Sequence, residues 1–272
     1  MTSNTVNINK DGELVYITFP KLERCGVVRH TFSTRFGGVS GVQYSTMNLS
    51  FNNGDTRECV EENYKRLCSA VGIDTANLVL SKQTHTNNIK TVTREDCGTG
   101  YNKPSFSDID GLITNQSGVA LVTQYADCTP LLFCDPKRRV IATSHAGWRG
   151  TALMIGKHTV DRMKQEFGCD PKDIIAAIGP CIGKCCYEVD APVYNAFMDA
   201  GICGENIFFK TDNEHYKLDL REANRQILVN SGILPSNIDV SDICTCCNSD
   251  EMHSHRATNG KRGNLAAIIE LV

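Results

Sequence analysis

GVALVTQYADCTPLLFCDPKRRVIATSHAGWRGT, residues 118–151, holds three short apolar runs: GVALVTQY (118–125), PLLFC (130–134) and RVIATSH (139–145). Each is short and rich in Val, Ile, Leu and Thr, and each is bounded by Gly, Pro or Asp, which reads as strand rather than helix. GVALVTQY and DIIAAIG (173–179) are apolar almost without alternation. Such strands are predicted to be covered on both faces, by helices or by a second sheet. Working outward, LVYITF (14–19), NLVL (77–80), NIKTVT (88–93) and LAAIIELV (265–272) add further strands. Helices are predicted between them. From Thr56 to Val71 one stripe holds Val60, Tyr64, Leu67 and Val71, with Asp55 and Glu58 as start signals and Gly72 as the stop. A second helix is expected from about Thr151 to Phe167, closed by Gly168, and a third from Leu220 to Asn230 behind Asp219. The pattern predicts a mixed α/β (α+β) fold, a layered sandwich of mixed β-sheets and helices. No repeat or Gly/Ser/Pro-rich linker divides the chain, so residues 1–272 are expected to form a single domain.

Composition narrows the function. Hydrophobic residues at 41% and charged residues at 22% are ordinary for a globular enzyme and exclude disordered or collagenous classes. A formal net charge of -3 leaves no broad basic face for nucleic acid or anionic lipid, so small-molecule partners are expected. The opening MTSNTVNINKDGEL lacks a secretory pattern, and no apolar run approaches the roughly 18 residues of a membrane span, so a cytoplasmic location is expected. The 14 cysteines are therefore read as reduced thiols, available for metal ligation, nucleophilic chemistry or core packing.

Three segments put a soft or borderline ligand where a strand meets a turn: SKQTHTNNI with His85, QYADCTPLLFC with Asp127 and Cys128, and SHAGWRGTAL with His145. Two imidazoles and a thiolate suit Zn²⁺, and a site with three protein ligands keeps a position open for water or substrate. The three residues lie far apart in sequence, so spacing alone does not select this reading over packing roles.

The wording of the segments is more specific. FSTRFGGVS (32–40), MNLS (47–50), KQTHTNNI (82–89), DIDGLIT (108–114), ADCTPLL (126–132), HAGWRGT (145–151), GPCIGKCCYEV (179–189) and CTCCNSDEMHSHR (244–256) resemble, in this order, the laccase-domain or YfiH-like family. That family carried the label multicopper polyphenol oxidase and is described as zinc-dependent purine nucleoside phosphorylase. The resemblance implies one zinc per chain on His85, Cys128 and His145. It also implies phosphorolysis of adenosine, inosine and methylthioadenosine, with adenosine deaminase as a companion activity. Arginines suit phosphate because the guanidinium fork donates two parallel bonds, and Arg35, Arg149 and Arg256 stand inside family-like motifs. Asn48 and Gln83 are candidates to orient sugar or base, or to cap backbone. Asp127 is a candidate to orient a metal-bound histidine or to bind a backbone amide. Asp108 and Asp110 read as shaping the turn before GLIT.

Competing readings share these residues. Multicopper oxidation fails on ligand counting, since an oxygen-reducing copper cluster needs more imidazoles than seven histidines supply. A metal-free cysteine hydrolase would use Cys128 as nucleophile and His145 as base. A structural zinc or thiol-rich binding protein is the non-enzyme alternative. Cys181, Cys185 and Cys186 form one dense group and Cys244, Cys246 and Cys247 another, with His253 and His255 nearby. The two groups together do not show two C-x-x-C pairs, so a second, structural zinc is the minor reading.

Overall fold

The computed structural model describes residues 2–272 apart from 205 and 213. Two large sheets stack face to face. The seven-stranded sheet runs, in spatial order, Asn7–Asp11, Leu14–Thr18, Val28–Ser33, Leu265–Leu271, Ala120–Tyr125, Leu78–Lys82 and Phe106–Ser107. The six-stranded sheet runs Ile238–Val240, Ile175–Ile178, Thr129–Asp135, Val140–Ala146, Gly111–Thr114 and Ile89–Thr91. Both are mixed: most neighbours are antiparallel, while Leu78–Lys82 is parallel to both Ala120–Tyr125 and Phe106–Ser107, Ile89–Thr91 to Gly111–Thr114, and Ile175–Ile178 to Ile238–Val240.

Burial on both faces explains the unbroken apolar runs. Every residue of Thr129–Asp135 is buried. Successive side chains alternate between faces: Leu132 and Cys134 meet Val79, Leu121 and Ala267 between the sheets, whereas Leu131 and Phe133 meet Ile155, Val160, Met163 and Leu228 on the far side. The other outer face, through Leu78, Leu80, Val122 and Ile268, is covered by Val60, Tyr64 and Leu67 of the Arg57–Ala70 helix. The order of layers is helix, sheet, sheet, helix, as the sandwich reading expects. A third sheet, Glu188–Asp190, His215–Leu218 and Phe208–Lys210, packs with helix Ala191–Asp199 around Val193, Phe197, Ile207 and Leu218.

Helix boundaries follow their caps in two of three cases. Thr56 accepts from the Cys59 amide at the head of Arg57–Ala70, and Asp219 accepts from the Glu222 amide at the head of Leu220–Asn230. The expected helix from Thr151 is instead two, Trp148–Ala152 and Ile155–Phe167, because Met154 adopts a left-handed φ of 57° that no continuous helix permits.

Topology creates the site. Residues 83–88, 108–110 and 126–128 each carry the chain from the seven-stranded to the six-stranded sheet. His145 lies opposite Pro130 in the antiparallel register, which sets it beside the 126–128 passage. Backbone strain collects here, with left-handed φ at His85 (66°), Asp108 (58°) and Asp127 (84°).

Candidate metal centre

His85 from the first passage, Cys128 from the third and His145 from its strand end bring their ligand atoms within 4.8 Å of one another. His85 Nε2 is 3.8 Å from Cys128 Sγ, and the two imidazole rings sit edge to face with centroids 4.8 Å apart. Gly147 borders the cluster without a side chain: a Cβ there would stand 2.9 Å from Cys128 Sγ and 2.9 Å from His85 Cδ2. The donor set fits zinc, with two borderline nitrogens and one sulfur converging on a point and no fourth protein donor needed.

Asp110 organises the cluster. Its carboxylate accepts from the amides of Thr84 (3.0 Å), His85 (3.0 Å) and Thr86 (2.9 Å), and from the Thr86 hydroxyl (2.9 Å). The left-handed turn at His85 is what lets three successive N–H groups face one anion. His145 Nδ1 donates to the same carboxylate at 2.8 Å, so its Nε2 is left for the cluster. One fully buried carboxylate therefore holds one ligand by its ring and another by its backbone. Tyr125 braces the ring from the side, 5.5 Å away, with its hydroxyl bonded to Ser144 O at 3.0 Å.

The protonation states follow from this geometry. Burial pushes the Cys128 thiol up, but the charge on His145 and hydrogen bonds from both imidazoles outweigh it and bring it down to about 6. Burial pushes His145 down, yet the Cys128 thiolate and the Asp110 carboxylate raise it to about 9. Asp110 is raised by burial and lowered further by His145 and the loop amides, to about 2. Without metal the cluster is a thiolate, imidazolium and carboxylate chain. Cys128 is already in the ligating form at neutral pH.

The cluster opens on a cleft of about 1460 Å³ whose wall includes Gln83, Asp127, Trp148, Arg149, Tyr187 and Arg256. Gln83 spends its amide on the neighbouring strand, donating to Gln124 O at 2.9 Å and accepting from Gln124 N at 2.7 Å. Asp127 accepts from Thr245 Oγ1 (2.6 Å) and the Arg256 amide (2.7 Å), so of its two expected roles it fills the backbone one, and Asp110 orients the histidine. Arg149 lies over the Trp148 ring at 4.2 Å. Arg256 donates to Glu188 O at 3.0 Å beside the Tyr187 ring. Arg35 and Asn48 stand off the cleft. The Arg35 guanidinium bonds Ser249 O and Ser45 Oγ. Asn48 is fully buried, donating to Ser50 O and Asp55 Oδ2 and accepting from the Asn264 amide, which anchors the turn whose residues 50–53 border the cleft.

Residues 29–272 match the family model described as multi-copper polyphenol oxidoreductase laccase. The chain belongs to this family. Purine nucleoside phosphorylase YlmD of Bacillus subtilis (strain 168) is 35% identical over 240 residues, 88% of this chain and 86% of that one. Adenosine deaminase RL5, from an unknown prokaryotic organism, is 33% identical over 231 residues, 83% and 87% of the two chains. The crystal structure of Bacillus licheniformis hypothetical protein YfiH shares the fold with a TM-score of 0.91 at 33% identity, covering 97% of this chain and 99% of that one.

Three residues of this laccase-family chain escape sequence reading. Asp110 looks like a turn former, which it also is; its bond to His145 exists only once the passages meet. Gly147 is one of two glycines in HAGWRG, and only the contact distance singles it out. Arg262 lines the cleft, and its buried Nε–H has no hydrogen-bond partner among the described residues, which leaves an unused donor there.

Proposed function

We propose that the chain is a zinc-dependent purine nucleoside phosphorylase that acts on adenosine, inosine and methylthioadenosine with phosphate, with adenosine deaminase as a companion activity. The observation that carries this reading is the convergence of His85, Cys128 and His145 at a cleft also walled by arginines and aromatic rings. Its relatives' names, purine nucleoside phosphorylase and adenosine deaminase, point the same way. Zinc held by those three side chains would supply Lewis acidity at the cleft wall.

The chain's own groups do the rest. Phe51, Tyr101, Trp148 and Tyr187 border the cleft and offer flat apolar faces to a purine. Arg149, Arg256 and Arg262 offer guanidinium forks to phosphate. In phosphorolysis a phosphate oxygen bonds to the sugar C1′ while the C1′–N9 bond breaks, and the purine leaves with the electron pair and takes up a proton. Positive charge grows on the sugar in that transition state, so a positioned dianion favours it. The cleft exceeds the roughly 300–1,000 Å³ of a single-ligand pocket, which leaves room for nucleoside and phosphate together.

A second reading has a specific observation behind it: Cys128, His145 and Asp110 have the order of a thiol protease triad, with the thiolate already formed. The second imidazole, His85, aimed at the same sulfur, favours metal. Incubation of zinc-loaded protein with adenosine, with and without phosphate, followed by chromatography, tests the proposal. Adenine and ribose 1-phosphate should form only with phosphate, and His85→Ala, Cys128→Ala and His145→Ala should each abolish turnover with far-ultraviolet circular dichroism kept. Chelation should stop the reaction and zinc restore it; full activity in metal-free protein supports the cysteine reading instead.

A further inference from the structure

Four sulfurs outside the cleft meet as closely as the three ligands inside it. Cys185, Cys186, Cys244 and Cys247 place their Sγ atoms within 4.8 Å of one another. Cys247 Sγ is 3.3 Å from that of Cys185 and 3.3 Å from that of Cys186. Zn–S bonds of about 2.3 Å in a tetrahedron set sulfurs about 3.8 Å apart, within this spread. Packing does not account for the group, because Cys185 and Cys247 are exposed and Cys186 is half-buried, whereas thiols used as small hydrophobes are buried.

Each group alone is incomplete, and the fold joins them. Cys244 and Cys247 supply a C-x-x-C pair. The parallel bridge between Cys181 and Cys244, with Thr245 N donating to Cys181 O at 3.0 Å, carries the Cys185 and Cys186 turn onto it. Cys244 Sγ accepts from the Gly183 amide at 3.1 Å and from the Cys247 amide at 3.4 Å, which disperses charge on a thiolate. Gly183 leaves room at the junction: a Cβ there would stand 2.7 Å from Arg221 Nη2 and 3.2 Å from both Cys185 Sγ and Cys244 Cβ. Arg221 Nη2 thus lies on the Gly183 turn that also borders Cys185 and Cys244, where its positive charge opposes the double negative charge of a metal tetrathiolate.

We propose that Cys185, Cys186, Cys244 and Cys247 form a second metal site that holds one Zn²⁺ in closed tetrahedral coordination. Binding exchanges thiol protons for metal, releases them to solvent and transfers no electrons. With all four positions filled by sulfur the site is structural. It staples two pieces of the cleft wall. The 181–187 segment contributes Ile182 and Tyr187, and the 244–247 turn holds Asp127, the neighbour of Cys128, through Thr245.

Metal analysis of the full chain, purified under reducing conditions and loaded with zinc, tests this. Wild type should carry two zinc ions, His85→Ala/Cys128→Ala one, and Cys185→Ser/Cys247→Ser one. Cobalt substituted into His85→Ala/Cys128→Ala should show the absorption of a tetrahedral tetrathiolate. A readout on wild type covers the case in which the serine variant does not fold: iodoacetamide followed by mass spectrometry should label the four cysteines only after chelation. A His85→Ala/Cys128→Ala chain without zinc, equal labelling with and without chelator, a disulfide among the four after reducing purification, or iron in place of zinc would each overturn the proposal.

Discussion

Asp110→Asn separates the carboxylate's charge from its shape. Asparagine keeps an oxygen where His145 Nδ1 and the His85 amide donate, but puts an NH₂ where Oδ2 accepts from Thr84 and Thr86. Two part-buried N–H donors then lose their acceptor, and since a fully buried donor costs about 1–3 kcal/mol, a combined loss of about 1–3 kcal/mol is expected. At about 2–4 °C per kcal/mol for a chain of this size, Tm should fall by roughly 2–12 °C. The loss should depend on pH. A carboxyl held at about 2 in the fold, against 3.8 ordinarily, contributes about 2 kcal/mol above pH 4 and loses it as pH falls towards 2. The gap between wild type and variant should therefore be widest at neutral pH and narrow between pH 4 and 2. Zinc affinity, measured by competition with a chromophoric chelator, should drop about 10–100-fold, as for other partners of ligating histidines. An unchanged Tm at pH 7 together with wild-type zinc affinity would refute the role given to Asp110.

Zinc entering the three-ligand centre must displace the proton of His145, which is held up to about 9, but not that of Cys128, which is down to about 6. Calorimetry of Cys185→Ser/Cys247→Ser in buffers of differing ionisation enthalpy should find about one proton released from this pair between pH 7 and 8, and about one more below pH 6; a count independent of pH contradicts the ion pair. Gly147→Ala forces a methyl against Cys128 Sγ and His85 Cδ2. Overpacking of about 1–3 kcal/mol should weaken zinc binding about 5–150-fold with the circular dichroism spectrum retained, and undiminished affinity would show that the backbone yields instead. Arg149→Ala and Arg262→Ala each remove a guanidinium from the cleft wall. A lost charged hydrogen bond of about 1.5–3 kcal/mol should raise the apparent KM for phosphate at least about tenfold, and an unchanged KM in both variants places the anion elsewhere.

Strands covered on both faces announce themselves, because every position of Thr129–Asp135 has to be filled without regard to parity. Val28–Ser33 does not, since Arg29, His30 and Thr31 dilute its pattern. His30 sits in the core only because its Nε2 accepts from the Phe19 amide at 2.8 Å, and Arg29 faces Glu270 of the neighbouring strand at 3.7 Å. Both partners are distant in sequence. The break at Met154 is equally silent, as methionine is a good helix former and nothing in the residue type marks the left-handed φ that separates the two helices.

The candidate centre divides along the same line. His85, Cys128 and His145 are legible as ligand types at strand ends, but what makes them a centre is a carboxylate whose acceptors are saturated by a loop about sixty residues away from His145 in sequence. Asp110 needs the His85 turn to gather three amides, and the turn needs Asp110 to offset their desolvation. Neither half predicts the other from spacing. The four cysteines repeat the pattern, since each pair lacks half its ligands until Cys181 meets Cys244. Folding and ligand placement are thus one hydrogen-bonded network at this end of the sandwich. A substitution that loosens any of the three passages should cost metal affinity and stability together, and a variant that loses one while wholly keeping the other marks a residue outside that network.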